Sequence, residues 1–338
     1  MSVKIAILGQ SNSILKDGFF NKFLDKHQPI EVTARGRVGA SPSLLGPYFA
    51  KESFFRGAAF CIIDMCVIDF SLLAGGAISL YDILKWIEWV GHSAKRAGCE
   101  PIFVCIPVNP ANRSELLISN CISLIERNEW FYLDARECIA HLAKRTGQPP
   151  GELYRDPSHP GPELSEAIAD RLAQIIEEIR HTPMTPVSRI FPVSRFDILN
   201  LQGLVVAAQV SYSSSLLEFK GVRLERGNTY QLNVGGITGV SGLMVNSAAC
   251  KGILEIEGDR KFYKNLRLNP YHPTHFEARL VPLCKPLRDD EGILKLSLVD
   301  SSVKESDVTF HSATTDEHDL GFVEIADIVV ERGYDLLT

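Results

Sequence analysis

The sequence predicts an α/β domain built on a parallel sheet, followed by an antiparallel β-sandwich domain. Over the first ~180 residues, short apolar segments alternate with segments of helical periodicity, the pattern of a sheet with helices on both faces. The later segments are short, rich in β-branched and aromatic residues, and separated by turn signals. These two observations together predict the fold class.

The first half holds strand and helix candidates in alternation. The strand candidates are 3–8, 30–35, 59–65, 101–107 and 130–134. The helix candidates are 14–26, 79–98, 113–128, 135–145 and 163–180. The last helix follows Pro162 and ends in Arg180 and His181, which agrees with the preference for proline in the first turn and for basic residues in the last.

A segment without periodicity separates the two halves. Pro183 and Pro186 fall close together there, which is typical of a linker. We therefore predict a first domain over 1–181, a linker over 182–190 and a second domain of jelly-roll type over 191–338. Its strand candidates are 204–210, 229–235, 252–257, 275–282, 293–299 and 322–331.

Composition and charge indicate the class of partner. The 338 residues carry a formal charge of -6, which provides no general electrostatic attraction to nucleic acid or to an anionic membrane. The chain starts without a basic, apolar leader, and no run approaches the roughly 20 apolar residues that span a bilayer. We expect a soluble, cytoplasmic protein whose partners are small or neutral molecules.

Eight cysteines are scattered through apolar segments, with no Cys-x-x-Cys pair. No histidine stands at the spacing of a zinc finger. We interpret these cysteines as buried thiols, and we expect neither a metal nor another cofactor.

Two short motifs carry candidate chemistry. Ser11 lies in a Gly-x-Ser turn directly after the first strand, and Asp156 and His159 stand three positions apart before the last helix. Ligands of open α/β sheets bind outside the carboxyl ends of the strands, where Ser11 is expected. A serine hydroxyl is a weak nucleophile until a base takes its proton, and His159 held by Asp156 is the candidate base.

Each motif has a simpler explanation when it is taken alone. A serine after a strand is commonly a helix N-cap, and an aspartate before a helix can cap it without any catalytic role. Their combination, at opposite ends of one predicted α/β domain, is more specific than either motif. At this point the chain resembles the SGNH (GDSL-like) hydrolase superfamily over residues 1 to about 180, and Gly9-Gln10-Ser11-Asn12 resembles the variant found among carbohydrate O-acetylesterases.

The resemblance implies a flavodoxin-like three-layer fold, with Ser11 as nucleophile, His159 as base and Asp156 as its partner. It also implies an oxyanion hole formed by the backbone N–H groups of Ser11 and Gly39, the latter after the second strand. The alternative for Gly39 is a simple role in a tight turn.

The third sequence block departs from the family pattern. Where the family has Gly-x-Asn-Asp, this chain has Cys66-Val67-Ile68-Asp69, so Ile68 replaces an oxyanion donor. Loss of such a donor costs on the order of 3 kcal/mol of transition-state stabilisation in enzymes built around it. Asn109, just after the fourth strand, is the candidate replacement, although Asn-Pro also starts turns. A thiol nucleophile at Cys66 has no separate histidine spaced to activate it.

Three functions remain open from the sequence. The first is a serine esterase that removes a small acyl group from a carbohydrate, and the resemblance implies that this group is acetyl. The second is an acyltransferase acting on a polysaccharide or its precursor through the same triad. The third is a carbohydrate-binding protein with weakened catalysis, for which Ile68 is the evidence. The β-sandwich is expected to hold substrate or to mediate oligomerisation, with the loop at 269–276 as its candidate contact.

Overall fold

The computed structural model describes residues 2–26, 29–36, 52–181, 196–213, 218–268, 276–283, 292–300, 302–303 and 321–332. The described residues fall into two compact units. The first draws on Met1–Ser71 and Ile83–Pro192, and the second on Leu72–Asp82 and Val193–Thr338. The predicted linker at 182–190 lies outside the described residues, so the domain boundaries stay a prediction.

The first unit is built on one parallel sheet. Its strands are β1 (Val3–Leu8), β2 (Ile30–Gly36), β3 (Phe60–Met65), β4 (Glu100–Cys105) and β5 (Phe131–Asp134). They pair in the order β2-β1-β3-β4-β5, and all pairs are parallel. This order is the flavodoxin-like one, whose ligand crevice lies where the strand order reverses, beside β1 and β3. The predicted fold class of the first half is confirmed.

Seven helices of the first half are described. They are α1 (Phe19–Lys26), α2 (Glu52–Phe55), α3 (Val67–Ala74), α4 (Leu80–Arg96), α5 (Glu115–Arg127), α6 (Ala135–Thr146) and α7 (Pro162–His181). The bounds of α6 follow from its caps. The Asp134 side chain accepts the Arg136 N–H at its start, and Gly147 ends it in the left-handed conformation. Buried residues of α1 and α7, including Phe20 and Leu172, join one hydrophobic core with the sheet.

The start of the first helix was predicted wrongly, and the helix after β3 was missed. The helix expected from residue 14 begins only at Phe19, because turns occupy the chain as far as Gly18. A Cβ atom at Gly18 would lie 2.1 Å from the Asn12 carbonyl oxygen, so this turn requires glycine. Helix α3 was not predicted, because its apolar residues continue the apolar run of β3 and mask the helical period.

The second unit is an antiparallel β-sandwich, as predicted. One sheet contains β8 (Phe196–Asn200), β9 (Ala208–Ser213), β10 (Glu218–Glu225), β12 (Ile237–Asn246), β15 (Ala278–Pro282) and β17 (Phe322–Arg332). The other contains β11 (Thr229–Asn233), β13 (Ile253–Glu257), β14 (Lys261–Asn265) and β16 (Ile293–Val299). One hydrophobic cluster includes Leu243 and Ile325 of the first sheet and Leu254 and Leu296 of the second, so both sheets cover the same core.

Strands β8, β10, β12 and β14 were not predicted. Glycines interrupt two of them and lower their apparent strand propensity. In β10, a Cβ atom at Gly221 would lie 2.5 Å from the Ile325 carbonyl oxygen, so the glycine allows β17 to approach closely. The glycine that weakens the strand prediction for β10 is therefore the residue that its close packing against β17 requires.

Among the seven cysteines that the structure describes, six are buried, Cys138 is half-buried, and none forms a disulfide. This confirms the buried-thiol interpretation for those residues, and Cys284 lies outside them. No helix in the described part of the chain combines the length and hydropathy needed to cross a membrane.

Candidate active site

Ser11 lies in a tight turn at the carboxyl end of β1. A single 3-10 turn over Ser11–Ser13 follows the strand, and the Ser13 hydroxyl donates to the Gln10 carbonyl oxygen at 2.7 Å. Gly9 is required here, because a Cβ atom in its place would lie 1.9 Å from Ser13 Oγ. The serine is therefore presented by a compact turn, and the α-helix whose N-terminus was expected beside it starts eight residues later, at Phe19.

Ser11, His159 and Asp156 form a continuous hydrogen-bonded chain. Ser11 Oγ lies 2.8 Å from His159 Nε2, and His159 Nδ1 lies 2.8 Å from Asp156 Oδ2. An ionised carboxylate can only accept hydrogen bonds, so the proton of the second bond belongs to Nδ1. In the tautomer with its hydrogen on Nδ1, Nε2 can accept the hydrogen bond of the Ser11 hydroxyl. In enzymes that use a serine nucleophile, a histidine in this position takes the hydroxyl proton.

The surroundings of Asp156 keep it ionised. Burial by itself raises the pKa of this carboxyl group, but the Ser158 N–H and the His159 imidazole lower it, and the net effect is a lowered pKa. Its Oδ1 accepts the backbone N–H groups of Ser158 at 2.8 Å and of His159 at 3.0 Å. These bonds fix the carboxylate against the imidazole, so the loop that carries His159 also orients its ring.

A clamp from the loop after β4 holds the segment that carries Asp156 and His159. The Asn109 N–H donates to the Pro157 carbonyl oxygen at 2.8 Å, and its side-chain amide donates to the Gly151 carbonyl oxygen at 3.1 Å. The Tyr154 hydroxyl donates to the Pro107 carbonyl oxygen at 2.8 Å. The two short strands of this segment, β6 (Tyr154–Asp156) and β7 (His159–Pro160), pair antiparallel. The histidine is thus tied to the central sheet.

The predicted oxyanion donors have separate outcomes. Ser11 lies in the turn described above and Gly39 lies outside the described residues, so their roles as oxyanion donors stay predictions. The side-chain amide of Asn109 is engaged with Gly151, so its described contacts belong to the clamp. Asn109 was proposed as a donor because it follows β4, at the same edge of the sheet as Ser11. A position at this edge does not determine the direction of the side-chain amide.

The segment Cys66-Val67-Ile68-Asp69 begins with a residue in the left-handed backbone conformation. Cys66 has φ +85°, a left-handed conformation that favours glycine, the residue of the family pattern at this position. The Ile68 N–H donates to Gln10 Oε1 at 3.2 Å, and Asp69 accepts the Cys66 N–H at 2.9 Å. Ile68 therefore acts through its backbone, which links the start of α3 to the turn of Ser11.

The Cys66 thiol is a poor alternative nucleophile. Burial raises its pKa, and the neighbouring thiols of Cys105 and Cys121 raise it further. A thiol that stays protonated is weakly nucleophilic. Over the described parts of the chain, no group of three or more histidine, cysteine or acidic side chains has an arrangement that holds a metal ion.

Sequence reasoning missed Gln10, Asp64 and Tyr154. Gln10 is 1% exposed, and its backbone N–H donates to Asp64 Oδ2 at 3.1 Å. Asp64 carried a signal, because it is the one acidic residue within the apolar segment 60–65, and a charge in a buried strand needs an explanation. The sequence gives no comparable signal for Tyr154, because a tyrosine in a loop is common.

No protein-family profile and no curated protein matches the sequence. Among solved structures, a two-domain esterase active on acetylated mannans matches with a TM-score of 0.66 and 12% identity, over 98% of this chain and 92% of that one. A structure described as this type of esterase co-crystallised with mannopentaose matches with a TM-score of 0.64 and 11% identity, over the same shares of both chains. At these identities the likeness shows a shared fold, which spans both halves of the chain.

Proposed function

We propose that this chain, which shares its two-part fold with an esterase active on acetylated mannans, is itself a serine esterase that removes small acyl groups from carbohydrates. The observation that carries the proposal is the hydrogen-bonded chain from Ser11 through His159 to Asp156. Acetyl esters of a mannan or a related polysaccharide are the proposed substrates, by analogy with the proteins of the same fold.

The proposed reaction starts with attack of Ser11 Oγ on the ester carbonyl carbon. His159 Nε2 takes the hydroxyl proton, and Asp156 stabilises the imidazolium that results. The N–H groups of Ser11 and Gly39 are the proposed donors to the oxyanion. His159 then protonates the sugar oxygen as the C–O bond breaks, and activates a water molecule that releases the acid from the acyl-serine.

Acetate release from acetylated oligosaccharides tests this proposal. Acetylated manno-oligosaccharides and xylo-oligosaccharides are incubated with the protein, and acetate and the deacetylated sugars are measured by mass spectrometry. We expect acetate from at least one series, with water as acceptor. A folded protein that releases no acetate, but transfers acetyl from a coenzyme A thioester to the deacetylated sugar, would be an acyltransferase instead.

We expect the Asn109→Ala variant to lose about tenfold in kcat/KM, because the loop that carries His159 loses one of its ties to the sheet and small displacements of catalytic groups are costly. Asn109→Asp keeps the size of the side chain but lacks the donor to Gly151, and we expect a similar loss. Initial rates of acetate release check both variants.

Asn120→Ala is the matched control for Asn109. Asn120, on α5, is half-buried like Asn109, and its side-chain amide also donates to a backbone carbonyl group, that of Leu116, at 2.7 Å. We expect wild-type rates from this control. Wild-type rates from both Asn109 variants would contradict the role of the clamp in positioning His159.

A further inference from the structure

Asp64 is a carboxyl group buried next to the turn that carries Ser11. It lies near the end of β3, between β1 and β4, and its solvent exposure is 0%. Its register partner on β4 is the apolar residue Val104. A carboxyl group in such a place loses much of its hydration, so its presence needs compensating contacts.

The contacts of Asp64 lead to Ser11 through Gln10. Asp64 Oδ2 accepts the Gln10 backbone N–H at 3.1 Å, directly before the serine. The Gln10 side chain continues the network, because its Oε1 accepts the Ile68 N–H at 3.2 Å and its Nε2 lies 3.4 Å from Asp69 Oδ2. Gln10 is thus held from β3 through its backbone and from the start of α3 through its side chain.

The surroundings of Asp64 favour its uncharged form. Burial raises its pKa to about 8; the Gln10 N–H opposes this rise, the charge of Asp69 adds to it, and the Ser13 N–H opposes it weakly. Asp69 on α3 is the charged group that acts on it, and the turn contributes only N–H groups. At neutral pH the acid is therefore mostly uncharged and places no negative charge against Gln10, the residue before Ser11.

We propose that Asp64 is a positioning residue whose carboxyl group fixes Gln10, and through it the turn that presents Ser11. Asp64 does not touch the substrate and acts by holding the backbone of its neighbour. The catalytic part of this inference rests on the proposed esterase function. The claim that Asp64 holds the backbone of Gln10 does not rest on that function, because it concerns only the hydrogen bond from the Gln10 N–H.

Two substitutions distinguish the role of Asp64 as a hydrogen-bond acceptor from the effect of its negative charge. Asp64→Leu keeps the branching of the side chain, with methyl groups in place of the two oxygens, and leaves the Gln10 N–H without an acceptor. Asp64→Asn keeps an acceptor oxygen and cannot ionise. Leu172→Ala, in the buried face of α7, is a control for loss of stability as such. The measurements are kcat and KM for acetate release and the amide hydrogen exchange rate of Gln10.

We expect Asp64→Leu to lower kcat by about 30-fold with KM within about threefold, because the bound substrate meets a displaced nucleophile. The Gln10 amide should exchange faster in this variant and remain protected in Asp64→Asn and Leu172→Ala. A folded Asp64→Leu variant with wild-type kcat and wild-type Gln10 exchange would overturn the proposal. If the wild type itself has no esterase activity, the exchange rates alone decide between these outcomes.

The pH profile adds a signature that a purely structural role would not produce. As pH rises through the ionisation of Asp64, a negative charge appears against Gln10, directly before Ser11, where it disfavours the negative charge that develops in the proposed reaction, so wild-type kcat/KM should fall above about pH 8. Asp64→Asn should match the wild type at pH 7 and lack this fall. An identical alkaline fall in Asp64→Asn would show that ionisation of Asp64 does not affect the site.

Discussion

The Ser11→Ala variant is expected to lose both ester hydrolysis and covalent labelling by a fluorophosphonate. In the proposed reaction the only bond to the acyl group is made by Ser11 Oγ, which lies 2.8 Å from the nitrogen that would take its proton. Removing a serine nucleophile of this kind lowers kcat by about 10⁴-fold or more. In the labelling reaction the serine oxygen bonds to phosphorus and fluoride leaves, so intact mass reports the adduct directly.

Labelling tests nucleophile activation without a choice of substrate. Ser71→Ala is a matched control, because Ser71 belongs to the same unit and its hydroxyl donates to the Val67 carbonyl oxygen on α3. We expect a single adduct in the wild type and in this control, and none in Ser11→Ala. A folded wild type that takes no label would argue for a carbohydrate-binding protein. Labelling of Ser11→Ala would place the nucleophile elsewhere.

The His159→Ala variant is expected to lose about 10⁴-fold or more in kcat/KM while Ser11 remains in place. Without the imidazole, neither the attacking hydroxyl nor the hydrolytic water has a base, and the leaving sugar oxygen has no acid. Because the substitution leaves a space of the shape of the ring, added imidazole should restore part of the rate. Acetate release with and without imidazole measures both effects.

His141→Ala is the control for loss of a histidine as such. His141 is exposed on α6 and is not part of the hydrogen-bonded chain. We expect it to keep wild-type rates and to show no response to imidazole. The proposed role of His159 would be wrong if its alanine variant, folded and with Ser11 present, hydrolysed the same esters at a rate near that of the wild type.

The fold of the first unit was predictable because its signals are local. Apolar strands, helical periodicity and capping residues such as Pro162 repeat along the chain, and their alternation admits few topologies. The prediction failed where two signals overlapped, at the apolar junction of β3 and α3. It also failed where glycines serve close packing, as Gly221 does against β17.

The candidate triad residues were predictable by type and by place on the sheet edge, but their distances were not. Ser11 and His159 are separated by 148 positions, and only the sheet brings their side chains within 2.8 Å. The direction of an amide is likewise a property of the folded chain. Asn109 was expected beside the oxyanion, and its described contacts tie the histidine loop to the sheet instead.

The sequence by itself determined the alternation of strands and helices in the first half, the change to a β-sandwich, and the three residue types that could make a nucleophile, a base and its partner. These depend on periodicity, composition and spacing, which can be read along the chain. The tertiary structure alone decided which groups meet. It turned Asp64 from an unexplained acid in an apolar strand into the acceptor that holds Gln10 beside Ser11. The reason is physical: hydrogen bonds and pKa shifts arise from neighbours in space, and here those neighbours lie up to 148 positions apart.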